Sequence, residues 1–109
     1  MWNQYFSPES LDEALQLNHL YREQARLLAG GTDLVLNLSS QRYAAVEAVI
    51  DISRVPELSK IDVQDDSITI GAAVTLSQIV RSELLNSAAP VLVTAARQIA
   101  GPQIRNLAT

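Results

Sequence analysis

The chain has 109 residues, 48% of them hydrophobic and 18% charged, with a net charge of -4 and no cysteine. That length holds one compact domain with one modest core, and the missing thiols exclude disulfides, thiolate metal sites and thiol catalysis. With no Lys or Arg cluster there is no field to gather nucleic acid or anionic lipid. The N-terminus lacks the basic and apolar regions of a signal peptide, so a cytoplasmic, reducing location is expected.

In chain order, residues 2–6 read as a short edge strand. Ser10, followed three residues later by Glu13, reads as a capping box that opens a helix. Leu11, Ala14, Leu15 and Asn18 share one face of that helix, which is expected to pack on a sheet. Residues 26–29 form a short apolar run ending at Gly30 and Gly31, and residues 32–38 follow with helical spacing. Residues 48–52 are apolar and rich in β-branched side chains. The stretch from Leu27 to Ile52 therefore predicts a β-α-β unit whose two strands are parallel neighbours. Ile61 and Val63, then Ile68 and Ile70, alternate with polar residues around a turn at 64–67, predicting a hairpin. Thr75 caps a helix through residue 80, and Pro90 introduces a second at 91–99 that Gly101 and Pro102 terminate. The expected architecture is mixed α and β, a small sheet flanked by helices, with two helices closing the chain.

The chemistry concentrates at the glycine turn. A strand that runs into Gly30 and Gly31 and then straight into a helix leaves several backbone amides aimed at one region, which suits a phosphate. Glycine there permits positive φ and removes the Cβ that would hold a ligand away from the amides. Thr32 can cap the helix or donate its hydroxyl to a phosphate oxygen. Read as an isolated dipeptide, Gly30-Gly31 is also compatible with a plain tight turn, because it matches neither a Walker loop nor the dinucleotide fingerprint. His19, the only histidine, is expected in a surface or capping role. The carboxylates at 12, 13, 51, 62, 65 and 66 suggest no metal constellation, and Ser39 and Ser40 have no base to activate them. Any redox chemistry therefore needs a bound cofactor. Arg105 and Asn106 are open between meeting an anionic or hydrogen-bonding partner and lying in a solvated loop.

Three stretches taken together, LLAGGTDL at 27–34, IGAAVTL at 70–76 and IAGPQIRNLAT at 99–109, resemble the FAD-binding (medium) subunit of molybdenum hydroxylases of the xanthine dehydrogenase and carbon monoxide dehydrogenase type. The resemblance covers essentially the whole chain. It implies the first lobe of a vanillyl-alcohol oxidase and para-cresol methylhydroxylase (PCMH) type FAD-binding domain, incomplete over residues 1–109. By the same resemblance, Arg26, Leu27, Leu28, Ala29, Gly30, Gly31, Thr32 and Asp33 wrap the FAD pyrophosphate. Ile99 lies near the flavin, and Thr109 begins a second flavin-contacting segment that continues into a Gly-Gly-Asn turn. Electrons are then expected to pass from iron-sulfur clusters to FAD and on to an acceptor such as NAD. Molybdopterin and the clusters are expected on a molybdenum-binding subunit and an iron-sulfur subunit.

The chain stops before the Gly-Gly-Asn turn. The alternative expectation is therefore a truncated, catalytically inactive structural or interaction fragment that does not bind FAD by itself and self-associates through the surface left open. A bulky side chain at Gly30 or Gly31 is expected to abolish flavin retention while leaving the fold mostly standing.

Overall fold

The computed structural model describes residues 2–31, 46–99 and 101–109. Strand β1 (Trp2–Phe6) lies at the edge of a three-stranded parallel sheet of order β1-β3-β2, with β2 (Ala25–Leu28) on the other side of the central β3 (Val46–Asp51). The register places Gln4 and Ala25 on either side of Ala48, and Phe6 and Leu27 on either side of Ile50. β3 has the composition its position demands. Ala48 and Ile50, with Ile52 just beyond, pack on one face in a cluster with Ala14 and Val55, while Val49 packs on the other with Trp2 and Leu28. A parallel strand covered on both faces loses the polar alternation of a half-exposed one.

Helix α1 (Leu11–Tyr21) covers the first of these faces. Ser10 caps it by accepting from Glu13 N, but the Glu13 carboxylate accepts from Glu9 N, one residue earlier than a reciprocal capping box requires. A second first-turn amide, Leu11 N, donates to Glu57 Oε2 at 3.0 Å. Three carboxylates, those of Asp12, Glu13 and Glu57, thus surround a helix start, where the dipole favours negative charge. Of the predicted stripe Ala14 is buried and Leu15 remains 56% exposed. The sheet is reached by Leu11 and Ala14, as expected, and by Leu17 and Tyr21 in place of Leu15 and Asn18.

Strands β4 (Ile61–Gln64) and β5 (Ser67–Ile70) form a separate antiparallel hairpin, with Ile61 opposite Ile70 and Val63 opposite Ile68. Asp65 takes the positive φ of 45° at its turn, a conformation that aspartate tolerates better than most residues. Ile61, Ile68 and Ile70 pack on a second core of Val74, Ile79, Leu85, Val93 and Ala96. That core is built by α2 (Leu76–Arg81), α3 (Glu83–Ala88) and α4 (Pro90–Arg97), with a last short helix α5 (Pro102–Arg105).

Four helices therefore follow the hairpin among the described residues, where two were expected. Ser82 ends α2 and caps α3 by accepting from Leu85 N. Pro102, expected only as a terminator, stands in the first turn of α5, where its fixed φ suits a helix and its missing N–H costs nothing. The expected helix at 32–38, and with it Ser39 and Ser40, lies outside the described residues.

The two cores join along residues 55–61 and 71–76. Gly71 N donates to Lys60 O, and Ala73 N to Leu58 O, both at 2.9 Å. A Cβ at Gly71 would lie 2.1 Å from Leu58 O, so glycine is required by the close approach of two backbones.

Candidate functional site

The parallel pairing of β2 ends where Ile52 N donates to Leu28 O at 2.8 Å. The chain then turns through residues 29–31. Among the described residues no further backbone hydrogen bond involves the amides of those three. Gly31 has φ 79°, in the left-handed region that a side chain disfavours. Gly30 is required for a different reason. Its missing Cβ would lie 2.2 Å from Leu107 O and 3.0 Å from Ala108 Cα, inside the backbone of the last residues. This corrects the expectation that a bulky residue at Gly30 would leave the fold mostly standing. The first thing such a side chain meets is the protein itself.

Residues 105–109 are held in place from three directions. Arg105 Nη1 donates to Arg97 O at 2.8 Å and to Ile99 O at 3.2 Å, beyond the last turn of α4. Ser77 Oγ donates to Asn106 Oδ1 at 2.5 Å. Leu76 N, in the first turn of α2, donates to Ala108 O at 2.8 Å. Between this segment and the glycine turn lies a cavity of about 410 Å³. Leu28, Ala29 and Gly30 line one side, Asn106, Leu107 and Thr109 another, with Asp51, Ser53, Ser59, Ala73, Thr75 and Gln78 completing it. It opens at the C-terminal ends of β2 and β3, where open parallel sheets present backbone and loops to ligands.

The polar groups of the cavity are unequally engaged. Thr75 and Gln78 are committed to a reciprocal capping box at α2, with Thr75 N donating to Gln78 Oε1 at 2.8 Å and Gln78 N to Thr75 Oγ1 at 3.1 Å. Asp51 accepts from the Tyr5 hydroxyl, from Ser53 N at 3.0 Å and from Ser53 Oγ at 2.6 Å. Partial burial opposes its ionisation, but the Ser53 and Tyr5 hydrogen bonds and the nearby Arg54 charge outweigh it and hold the carboxyl below its ordinary range. Its hydrogen bond to that carboxylate, with burial and the same negative charge, raises the Tyr5 phenol. Asp51 is therefore an anion on one wall, and none of the described lining residues is Lys or Arg. A second anion is repelled from the Asp51 wall, which leaves the amides of residues 29–31 as its natural partners.

Of the residues singled out from sequence, Leu28, Ala29, Gly30 and Thr109 meet at this cavity, and Gly31 follows directly in the chain. Arg26 is turned onto its own segment, donating to Glu23 O and Ala25 O. Leu27 faces an apolar groove of about 220 Å³ beneath α1, with Leu15, Ile52, Leu58 and Ala72. Ile99 is 47% exposed beyond α4 and is absent from the cavity wall. Thr32 and Asp33 lie outside the described residues. His19 is exposed and near the end of α1. A broader depression of about 520 Å³ is lined, among the described residues, by residues 20–24 around one turn, with no other described group to give it specificity. Sequence reasoning missed Asp51 and Ser53 as cavity residues. The available signal was an aspartate closing the strand that neighbours the glycine-turn strand, two residues before a serine.

Comparison with known proteins gives a consistent picture. Residues 2–109 match the family described as FAD binding domain in molybdopterin dehydrogenase. The chain is 40% identical over 107 residues to the nicotinate dehydrogenase FAD-subunit of Eubacterium barkeri, covering 97% of this chain and 36% of that protein. It is 38% identical over 106 residues to the carbon monoxide dehydrogenase medium chain of Hydrogenophaga pseudoflava, covering 97% and 37%. The crystal structure of a Cu,Mo-CO dehydrogenase in its cyanide-inactivated form superposes with a TM-score of 0.92 at 30% identity, over 100% of this chain and 38% of the other. The chain thus spans little more than a third of the length of these relatives. It has the mixed α/β architecture of the corresponding part of their flavin domain.

Proposed function

Because this chain belongs to the family of FAD-binding domains in molybdopterin dehydrogenases, we propose that it supplies one wall of an FAD site. Residues 29–33 cradle the pyrophosphate, and across the cavity from Ala29 and Gly30 lie residues 107–109. The observation that carries this reading is the glycine turn at the end of β2. It opens at the C-terminal edge of a parallel sheet, with amides that no described residue engages and no Lys or Arg among the described residues that line the cavity. The cavity's 410 Å³ is near the small end of ligand sites, which run from roughly 300 to 1,000 Å³. It suits a pyrophosphate and its immediate neighbours, with the rest of the dinucleotide reaching beyond this chain. Leu28 is retained as a wall residue, and Thr109 as the start of the second contact. Arg26 and Leu27 act as the strand that delivers the turn, and Ile99 as the anchor that Arg105 holds.

FAD, when bound, supplies two-electron redox chemistry to the complete protein. We place that protein in a complex with a molybdenum-binding subunit and an iron-sulfur subunit in the cytoplasm, with an acceptor such as NAD receiving the electrons. Among the described residues no three His, Asp or Glu side chains converge on a possible metal, and no helix is long and apolar enough to cross a membrane. The contribution of this chain is to bind and orient. The test is titration of the chain with FAD, following flavin fluorescence and calorimetric heat together. Saturable one-to-one binding is expected; a folded chain with no saturable binding refutes the cradle as an autonomous site.

A further inference from the structure

Resting on that reading, we infer that Arg105 and Ser77 are positioning residues for the cofactor site, although neither lines the cavity. The wall opposite the glycine turn is made by Asn106, Leu107 and Thr109, and its backbone bonds locally only to α5, with Asn106 N donating to Pro102 O and Leu107 N and Ala108 N to Ile104 O. α5 is four residues long and ends at Arg105, so what ties α5 and the wall together to the rest of the fold is the Arg105 and Ser77 side chains and the Leu76 N to Ala108 O bond. The Arg105 guanidinium reaches back to Arg97 O and Ile99 O. There a cation meets the partial negative charge of a helix C-terminus and satisfies carbonyls that the helix itself leaves open. A guanidinium fork holds two such acceptors in one fixed geometry, which an ammonium does not reproduce. Ser77, in the first turn of α2, ties the same segment to another element through Asn106.

These ties matter to the cradle because the wall and the turn touch backbone to backbone. Gly30 approaches Leu107 so closely that no Cβ fits between them, so displacement of residues 107–109 removes the support behind the turn. The wall also carries Ala108 O, the acceptor for Leu76 N. That amide therefore reports directly on whether the wall is in place. Arg105 and Ser77 set the width of the site from outside it, the one through α4 and the other through α2.

The test uses the whole chain and the variants Arg105→Ala, Arg105→Lys and Ser77→Ala, with two readouts: the FAD dissociation constant, and amide hydrogen exchange at Leu76. Arg105→Ala is expected to weaken FAD binding by about tenfold or more, a difference of about 1.4 kcal/mol, and to speed Leu76 exchange. Arg105→Lys should recover part of both, and Ser77→Ala should move both in the same direction by less. A wild-type chain that binds FAD alongside folded Arg105→Ala and Ser77→Ala variants that bind it equally well overturns this inference and leaves the FAD reading standing. A wild-type chain that does not bind FAD refutes the cradle as an autonomous site, and Leu76 exchange that is unchanged in both Arg105→Ala and Ser77→Ala then overturns this inference. If Arg105→Ala does not fold, Ser77→Ala decides the matter alone.

Discussion

Replacing Gly30 by alanine adds a single methyl group, and the structure fixes the sign of the result. Gly30 does not have a positive φ, so alanine needs no strained backbone there. On conformational entropy alone the change is favourable by about 0.4–1 kcal/mol, through loss of freedom in the unfolded chain. The contact decides otherwise. The new Cβ would lie 2.2 Å from Leu107 O and 2.8 Å from Leu107 C, where ordinary van der Waals contact begins at 3.4 Å. The obstacle is backbone, so no rotamer change relieves it. Overpacking of this kind costs roughly 1–3 kcal/mol. If residues 107 and 108 withdraw, the Leu76 N to Ala108 O bond is lost, at a further net cost of about 0.5–1.5 kcal/mol. The balance is a destabilisation of about 1–3 kcal/mol. At roughly 4–8 °C per kcal/mol for a small domain, the midpoint of thermal unfolding followed by circular dichroism should fall by on the order of 10 °C. Gly101→Ala is the control, because the nearest atom to its Cβ is the side-chain Oε1 of Gln103 at 3.4 Å, and it should change the midpoint little. A Gly30→Ala chain that melts at or above the wild-type temperature would refute the close approach.

Two other consequences are open to measurement. Leu85 is fully buried in the second core, so Leu85→Ala should cost about 2–5 kcal/mol, seen as a lower urea midpoint; a change under about 1 kcal/mol would mean that this core collapses around the gap. The Asp51 carboxyl is held below its ordinary 3.8 in the folded chain. Its contribution to stability is therefore fully present above that value and is lost as pH falls through the lowered one. The stability difference between wild type and Asp51→Asn should hold steady from neutral pH down to about 3.8 and change only below it. A difference already varying between neutral pH and that point would show that another group controls the acid limb.

Much of the chain was legible because its signals are local. Ser10, Thr75 and Pro90 mark helix starts by satisfying or dispensing with first-turn amides. The alternation at 61–63 and 68–70 marks a hairpin whose turn residues lie between. The apolar, β-branched run at 48–52 marks a buried strand. Local signals failed where one residue served two elements. Ser82 closes α2 and opens α3 within a single turn, and a Gly-Pro pair reads equally as the end of one helix or the start of the next.

Sequence alone determined the glycine turn, its place between a strand and a predicted helix, and the family resemblance, because each is written within a few consecutive residues. Tertiary structure alone decided what the two glycines are for. Gly31 answers to its own φ, but Gly30 answers to Leu107, 77 residues further along the chain. It also turned Arg105 from a candidate ligand contact into a clamp on α4, and brought Asp51 to the wall of the cavity. These assignments depend on which backbone stretches come within van der Waals or hydrogen-bonding distance. Spacing along one segment does not contain that information, since it arises only when the parallel sheet and the helical layer pack against each other.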